Sequence, residues 1–419
     1  MKPEITVLKN GLRVISQEYP QYETVSLGLW VRTGSAYEAE DLNGISHFLE
    51  HMVFKGTDKR SALSISEDIE NVGGHTNAYT SREFTAFYAK MLKNDAELAL
   101  DVLCDMLLNS KFAEEELVKE REVVVQEIKQ AIDDPSDIVF DYMQAQAYPN
   151  QAMGRPILGT AELVRSFGAK ELNGYIGTNY AAENMVACAV GNIKHKDFVK
   201  MVEGRMSSLQ SKVNFTVDKQ VYSGGYFAEN RDVEQAQVVL GFGAYGYNSN
   251  YYYPAMLLST VLGGGMSSRL FQEIREKRGL AYSIYSFPSF YSNSGFLGVS
   301  TGTDNQEINN MLPVVVDELK KIMNEKVSND ELQRAKAQIK SSTLMALESS
   351  SSVSEKLARQ ILLFGRTISI EETVKHIDEV SVDDIRDIAI KIFTSKPTYA
   401  LVGKVDDHLE YDKLCDLLK

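Results

Sequence analysis

Cysteine is scarce in this chain of 419 residues, which contains only Cys104, Cys188 and Cys415. These three residues are far apart in the sequence, so they form neither the framework of a small disulfide-rich protein nor a cysteine-based metal site. Such sparse use of cysteine suits a reducing compartment.

Long apolar runs are also lacking. No stretch of about 18 apolar residues occurs, so the sequence predicts no membrane span. The first residues, Met1 to Glu4, have neither the apolar core of a signal peptide nor the arginine-rich character of a transit peptide. We therefore expect a cytoplasmic protein; the alternative is that a targeting segment has been removed.

Positive charge is in deficit: 44 lysines and arginines face 58 aspartates and glutamates, which gives a net charge of −14. A nucleic-acid-binding protein would need a basic face, so that class is not expected. An acidic protein attracts basic ligands instead, and a peptide rich in arginine or lysine is a suitable partner.

The length is enough for two domains of about 200 residues, and the two halves follow a similar pattern. In the first half, alternation and turn signals predict strands and helices at 5–8, 12–16, 25–31, 45–54, 84–91, 95–108, 113–132 and 185–190. In the second half, the corresponding elements are at 238–242, 254–262, 296–300, 308–323, 330–347 and 399–402. This indicates an α+β protein made by internal duplication.

The predicted domains are residues 1–212 and 220–419, with a linker around 206–223. Leu117 and Leu332, like Gly191 and Gly403, recur at nearly the same spacing in the two halves. Chance similarity between two α+β halves is the alternative explanation.

The most informative motif is His47-Phe48-Leu49-Glu50-His51. On a helix, two imidazoles at i and i+4 lie one turn apart on one face, where they can bind one ion. Zinc prefers such ligands, and Glu50 on the same face can act as the base that takes a proton from water. This order of residues is the inverzincin pattern. The alternative is a pair of core histidines beside a solvated glutamate.

A catalytic zinc site needs a third protein ligand, and the helix from Glu114 offers Glu120 and Glu127 seven residues apart. Glu127 is surrounded in sequence by valines and Ile128, so we expect it to point into an apolar layer. Burial of a carboxylate there would favour a ligand role, because an unpaired buried charge is costly. Glu120 would then support the site by a hydrogen bond; simple surface charge is the alternative for either residue.

These motifs together resemble the pitrilysin and mitochondrial processing peptidase family of zinc metallopeptidases. The resemblance includes the motif at 47–51, Glu127 located 76 positions later, and the flanking segments 44–46, 54–57, 77–80 and 120–123. It covers essentially the whole chain. It implies two homologous α/β-roll domains of the LuxS and processing-peptidase type, and one Zn²⁺ per chain bound by His47, His51 and Glu127.

The resemblance also implies roles near the metal. Glu120 corresponds to the acid that accompanies the glutamate ligand. Asn77, Ala78 and Tyr79 correspond to an edge strand that an extended substrate joins by backbone pairing. Phe54 corresponds to an apolar residue that lines the pocket after the scissile bond. His75 lies beside that strand but is not expected to be a ligand.

In the second half, Arg275 and Tyr282 match a pair carried by the metal-free domain of the family. The arginine would hold a substrate carbonyl or carboxylate, and the tyrosine hydroxyl would stabilise the oxyanion. Asp137 and Asp141 match acidic positions that receive an arginine two residues before the cleavage site. For Arg275 and Tyr282, the alternative is a surface arginine and a packed tyrosine.

The expected function is therefore that of a zinc endopeptidase acting on peptides or unfolded, presequence-like segments. The first half retains metal-competent residues, whereas the matching positions of the second half are Ala255, Leu258 and Ser259. Because one chain carries both the zinc motif and the Arg275/Tyr282 pair, the resemblance suggests a homodimer. A monomer that uses its own second domain is one alternative, and a non-catalytic scaffold subunit of the same fold is another.

Overall fold

The structure is a computed structural model, and it describes residues 2–212 and 219–419. Its strands are β1 (Glu4–Val7), β2 (Arg13–Glu18), β3 (Thr24–Val31), β4 (His75–Thr80), β5 (Thr85–Leu92), β6 (Met185–Gly191), β7 (Gly225–Asn230), β8 (Gln235–Ala244), β9 (Ala281–Phe290), β10 (Gly295–Asp304) and β11 (Thr398–Gly403). The expected linker around 206–223 includes residues 213–218, which lie outside the described residues.

The α-helices are α1 (Ile45–Met52), α2 (Ala62–Glu70), α3 (Ala96–Asn109), α4 (Glu114–Asp133), α5 (Pro135–Ala147), α6 (Ala161–Ser166), α7 (Ala169–Asn179), α8 (His195–Met206), α9 (Tyr252–Gly263), α10 (Ile308–Asn324), α11 (Asn329–Met345), α12 (Ser350–Phe364), α13 (Ile370–Glu379), α14 (Val382–Phe393) and α15 (Tyr411–Leu418). Among the described residues, none of these helices is both long and apolar enough to cross a membrane.

The described residues fall into two compact units, and each has its own sheet. Unit 1 contains residues 2–129, 156–212 and 345–368. Its sheet has the order β1-β2-β6-β3-β5-β4, in which only β2 and β6 pair in parallel. Helices α1, α3 and α8 cover one face of this sheet, with Phe48, Leu103 and Phe198 in the core between them.

Unit 2 contains residues 130–155, 219–344 and 369–419. Its sheet has the order β7-β11-β8-β10-β9, in which only β7 and β11 pair in parallel. Taken in chain order, β7 to β11 therefore repeat the arrangement of β2 to β6, strand for strand. The predicted α+β fold and its duplication are confirmed by this shared topology.

Each unit includes one segment from the other half of the chain. Helix α12 belongs to unit 1, where it packs on the sheet face opposite α1, and α5 belongs to unit 2, where it packs on β8 and β11. The compact units thus do not coincide with residues 1–212 and 220–419. Those boundaries describe the two repeats along the chain, and they stay a prediction.

Several helices and strands lie outside the ranges predicted from the sequence, among them α5 and β9. Helix α5 begins directly after α4, because the Asp134 carboxylate accepts a hydrogen bond from the Ser136 N–H and proline is favoured in the first turn. The sequence pattern does not predict strand β9, because this strand contains Pro288 and several serines, which weaken the strand signal.

Candidate metal centre and active site

Helix α1 carries the metal motif, and its start is defined by a glycine and a buried glutamate. Gly44 has φ +97°, and a Cβ there would lie 2.7 Å from the Leu158 carbonyl oxygen, so glycine is required. The Glu38 carboxylate accepts hydrogen bonds from the Gly44 and Ser46 N–H groups, both at 2.8 Å. A negative charge at the positive end of α1 satisfies its free donors. Burial raises the pKa of Glu38, and these hydrogen bonds oppose the rise.

Three ligand atoms converge at the exposed side of α1. The Nε2 atoms of His47 and His51 lie 3.7 and 3.4 Å from Glu127 Oε2, and one ligand atom from each residue lies within 4.8 Å of the others. The two imidazole centroids are 4.6 Å apart. Helix α1 supplies the histidines and α4 supplies Glu127.

This group fits a zinc ion. Atoms bound at about 2.1 Å in a tetrahedron lie about 3.4 Å from each other, which agrees with the two measured distances. Zinc binds neutral imidazole, and burial, followed by the neighbouring His51, lowers the pKa of His47 to about 3. His47 is therefore neutral at pH 7 and free to act as a ligand.

A buried acid orients the second histidine. Glu120 Oε1 lies 2.9 Å from His51 Nδ1, which leaves Nε2 of His51 for a metal. Glu120 Oε2 lies 2.8 Å from Lys55 Nζ, one turn beyond His51 in the sequence. Burial raises the pKa of Glu120, but hydrogen bonds from His51 and Lys55 outweigh it and lower the pKa overall. This arrangement holds the imidazole ring in one tautomer and orientation.

The two glutamates of α4 have the reverse of the expected burial. Glu120 is 5% exposed, whereas Glu127 is 39% exposed. The expectation that Glu127 points into an apolar layer is therefore wrong, because the buried stripe of α4 consists of Leu117, Glu120, Val124, Val125 and Ile128. The same stripe contradicts the surface alternative for Glu120.

Glu50 lies on the same helix as the two histidines, and its carboxylate is largely buried. Its Oε2 atom has no hydrogen-bond partner among the described residues, while Thr80 on β4 forms hydrogen bonds with the carboxylate. Burial raises the pKa of Glu50, and the Thr80 hydrogen bonds oppose the rise. A carboxylate with a raised pKa and a free oxygen is suited to accept and return a proton.

The expected edge strand is β4, which pairs with β5 and with no other strand in the described part of the chain. Ala78 faces the core on the α1 side, and the Tyr79 hydroxyl donates a hydrogen bond to Glu355 on α12. Asn77 is exposed, and its Oδ1 accepts from the Ala78 N–H. Phe54 is half-buried against the core of unit 1. His75 is not a member of the metal group in the described residues.

In unit 2, the structure brings Arg275 and Tyr282 together. The guanidinium carbon of Arg275 lies 4.7 Å from the Tyr282 ring centre and 4.8 Å from that of Phe271. Tyr282 is 77% exposed at the start of β9, and Arg275 lies on a π-helical turn, Phe271–Glu276. Both side chains are therefore accessible, and the ring contacts restrict the arginine.

Asp137 and Asp141 lie on α5, four residues and thus one turn apart. Asp137 is exposed and Asp141 is half-buried. The two carboxylates therefore occupy one face of this helix, where a single guanidinium could reach both.

Sequence reasoning missed three residues that support the site: Glu38, Lys55 and Thr80. Lys55 was visible within the segment 54–57, one turn after His51. Thr80 was likewise visible within the segment 77–80, although its contact with Glu50 was not. Glu38 gave no signal, because its partners are determined by how a loop folds against α1. The periodicity of Leu117, Val124 and Ile128 already places Glu120 in the buried stripe, so its burial could have been predicted.

Comparison with known proteins identifies the class. Residues 13–161 match the family description "Insulinase (Peptidase family M16)", and residues 166–339 match "Peptidase M16 inactive domain". The chain therefore belongs to peptidase family M16, and it is a zinc metallopeptidase. This confirms the family, the enzyme class and the zinc cofactor expected from the sequence.

The similar proteins agree with this assignment. An uncharacterized zinc protease of Rickettsia felis is 40% identical over 405 residues, 96% of this chain and 98% of that protein. The uncharacterized zinc protease YmxG of Bacillus subtilis is 38% identical over 94% of this chain and 97% of its own length. A crystal structure of a protease from Helicobacter pylori has a TM-score of 0.89 at 22% identity, covering 96% of this chain and 99% of that chain, which supports the fold.

The contacts of Glu120 lead to a prediction for metal binding. Glu120→Gln removes the charge that faces His51 and Lys55, so we expect the zinc affinity to fall about 10- to 100-fold. Competition with a chromogenic chelator would measure this. Glu122→Gln is the matched control, because Glu122 lies on the same helix, is exposed and pairs with Arg165. Equal zinc affinities for the two variants would contradict the role of Glu120.

Proposed function

We propose that this zinc peptidase is an endopeptidase that cleaves peptides or unfolded, presequence-like segments, with Glu50 as general base. The observation that carries the proposal is the unpartnered Oε2 of Glu50 on the helix that carries His47 and His51. When bound by His47, His51 and Glu127, zinc supplies a Lewis acid and lowers the pKa of water. Glu50 takes the proton of the attacking water and returns it to the leaving amine.

Substrate binding is proposed at β4. Because the outer edge of this strand has no partner strand in the described residues, an extended peptide can add there through main-chain hydrogen bonds. Asn77, Ala78 and Tyr79 would form the pairing edge, and Phe54 would contact an apolar side chain after the scissile bond. A segment must be extended to pair in this way, so peptides and unfolded segments are favoured.

We also propose that Arg275 and Tyr282 act on the bound substrate. The Tyr282 hydroxyl would donate to the developing oxyanion, and Arg275 would hold a substrate carbonyl or carboxylate. Their ring contact and exposure support this proposal. We propose a homodimer in which each chain lends this pair to its partner; action within one chain is the alternative.

A preference for arginine near the scissile bond is proposed from Asp137 and Asp141. Two carboxylates one turn apart suit a guanidinium, and the net charge of −14 attracts basic peptides.

The free cysteines, Cys104, Cys188 and Cys415, favour a reducing compartment such as the cytoplasm. A scaffold subunit without activity is disfavoured, since all four metal-site residues are retained.

The decisive test compares the wild type with Glu50→Gln for metal content and for cleavage of a fluorogenic arginine-containing peptide. We expect one zinc per chain in both proteins and a loss of activity of about 100-fold or more in the variant, since it lacks the base. Zinc without cleavage of any unfolded peptide by the wild type would refute the endopeptidase proposal. Glu67→Gln, an exposed change on α2, is the control.

Mixed dimers would distinguish action across the dimer from action within one chain. We would co-express Glu50→Gln with Tyr282→Phe, each of which is expected to be impaired alone. If Tyr282 serves the partner chain, half of the dimers are mixed and each has one intact site, so about a quarter of wild-type activity returns. If Tyr282 acts within its own chain, mixing restores nothing beyond the average of the two variants.

The arginine preference is tested with Asp137→Asn and Asp141→Asn. We expect the ratio of kcat/KM for arginine-containing over arginine-free peptides to fall about tenfold in the double variant, because a charge-assisted pair is lost. Asp133→Asn on the neighbouring helix α4, which is also exposed, serves as the control. An unchanged ratio would remove the proposal while leaving the peptidase activity intact.

A further inference from the structure

Helix α12 comes from the second half of the chain but completes unit 1. Its apolar residues Val353, Leu357 and Ile361 are buried against Trp30 and Val186 of the sheet, on the face opposite α1. The helix thus lies on the other side of the sheet from α1, the helix that carries His47 and His51. Apolar packing accounts for its attachment, but it does not account for the carboxylate that α12 carries into the same interface.

That carboxylate is Glu355, and it is bound by two aromatic side chains. Its Oε1 accepts a hydrogen bond from the Tyr79 hydroxyl at 2.5 Å, and its Oε2 accepts from Trp30 Nε1 at 2.7 Å. Burial and the Glu355 charge raise the pKa of Tyr79, so the hydroxyl keeps its proton and stays a donor. A hydrogen bond to a charged acceptor is stronger than a neutral one.

Strand register explains why both donors reach one acceptor. Ala86 of β5 is the cross-strand partner of Trp30 on β3 and also of Tyr79 on β4. The three side chains therefore form a row on one face of the sheet. Because the middle residue is an alanine, the two aromatic side chains can lean toward each other and meet Glu355 above it.

Packing alone does not hold Tyr79 in place. A cavity of about 290 Å³ lies beside it, lined by Trp30, Tyr88, Glu355 and several serines of β3 and α12. In a close-packed core, loss of one hydrogen bond leaves a side chain confined by its neighbours. Next to a cavity, Tyr79 is packed on fewer sides, so its hydrogen bond to Glu355 contributes to its position.

The residue after Tyr79, Thr80, lies on the other face of β4 and contacts the candidate active site. Thr80 forms hydrogen bonds with the Glu50 carboxylate, and its Oγ1 lies 3.4 Å from the Ser46 carbonyl oxygen of α1. The end of β4 is thus tied to α12 on one face through Tyr79 and to α1 on the other through Thr80. A shift of Tyr79 would move the pairing edge relative to Glu50.

We propose that Glu355 is a positioning residue: through Tyr79 it holds β4 in register to receive an extended peptide. This inference rests on the proposed addition of substrate to β4. It assigns to the C-terminal half of the chain a role in substrate binding by the metal-bearing unit. A peptide long enough to pair along β4 requires this support, whereas a short peptide that reaches only the scissile bond does not.

The test measures kcat and KM for a long and a short fluorogenic peptide in Tyr79→Phe, Glu355→Ala and the double variant. We expect KM for the long peptide to rise about tenfold in each single variant and KM for the short peptide to rise less, because only the long peptide pairs along β4. Because Glu355→Ala already removes the only hydrogen bond that Tyr79→Phe removes, the double variant should show no larger rise than Glu355→Ala alone. Tyr19→Phe, a tyrosine packed against the same core cluster, is the control.

Binding of a labelled long peptide in the Glu50→Gln background separates this inference from the proposed function. If the peptide binds and Tyr79→Phe weakens binding about tenfold, the inference holds even when the wild type cleaves nothing. If binding is unchanged, undetectable, or weakened equally for long and short peptides, it is overturned. The fluorescence of Trp30, the single tryptophan, monitors unfolding, and a lowered unfolding midpoint as the sole effect would make Glu355 merely structural.

Discussion

The metal group depends on the hydrogen bond between Glu120 and His51. It places one nitrogen of the imidazole against the acid and turns the other toward Glu127, and it joins α1 to the same helix that supplies the third ligand. Burying Glu120 alone would cost several kcal/mol, and the nearby Lys55 offsets that cost. A single buried acid therefore connects two helices, fixes one tautomer of His51 and pairs with Lys55.

The two repeats have diverged, and among the described residues only the first brings a metal group together. The two sheets share their strand order, and α9 takes the place of α1 in the second half. There Ala255 and Leu258 are fully buried, and Ser259 is paired with Ser286. Helix α9 is buried on nearly all sides, so a metal group would have no access to solvent or substrate. Helix α1 instead leaves the side with the metal ligands accessible, and its buried polar atoms therefore need hydrogen-bond partners.

Much of this organisation could be predicted from the sequence. The spacing of His47, Glu50 and His51 determines their shared face, because helix geometry is local, and the alternation of residues in β3 and β8 marked them as strands. The residues that flank Glu127 in the sequence do not predict its burial correctly. The periodic stripe of α4, which contains Glu120, is the better guide to burial. Glu38 and Glu355 could not be found, because each acts on residues that only the tertiary fold brings near.

The exchange of α12 has a consequence for how the protein is made. The sheet face of unit 1 that bears Ile15, Trp30 and Val186 stays uncovered until residues 350–364 have left the ribosome. Nearly the entire polypeptide must therefore be synthesised before the metal-bearing unit can close, although its ligands lie in the first third of the chain. An N-terminal fragment that ends before α12 would expose an apolar surface, so the metal-bearing unit is incomplete without part of the second repeat.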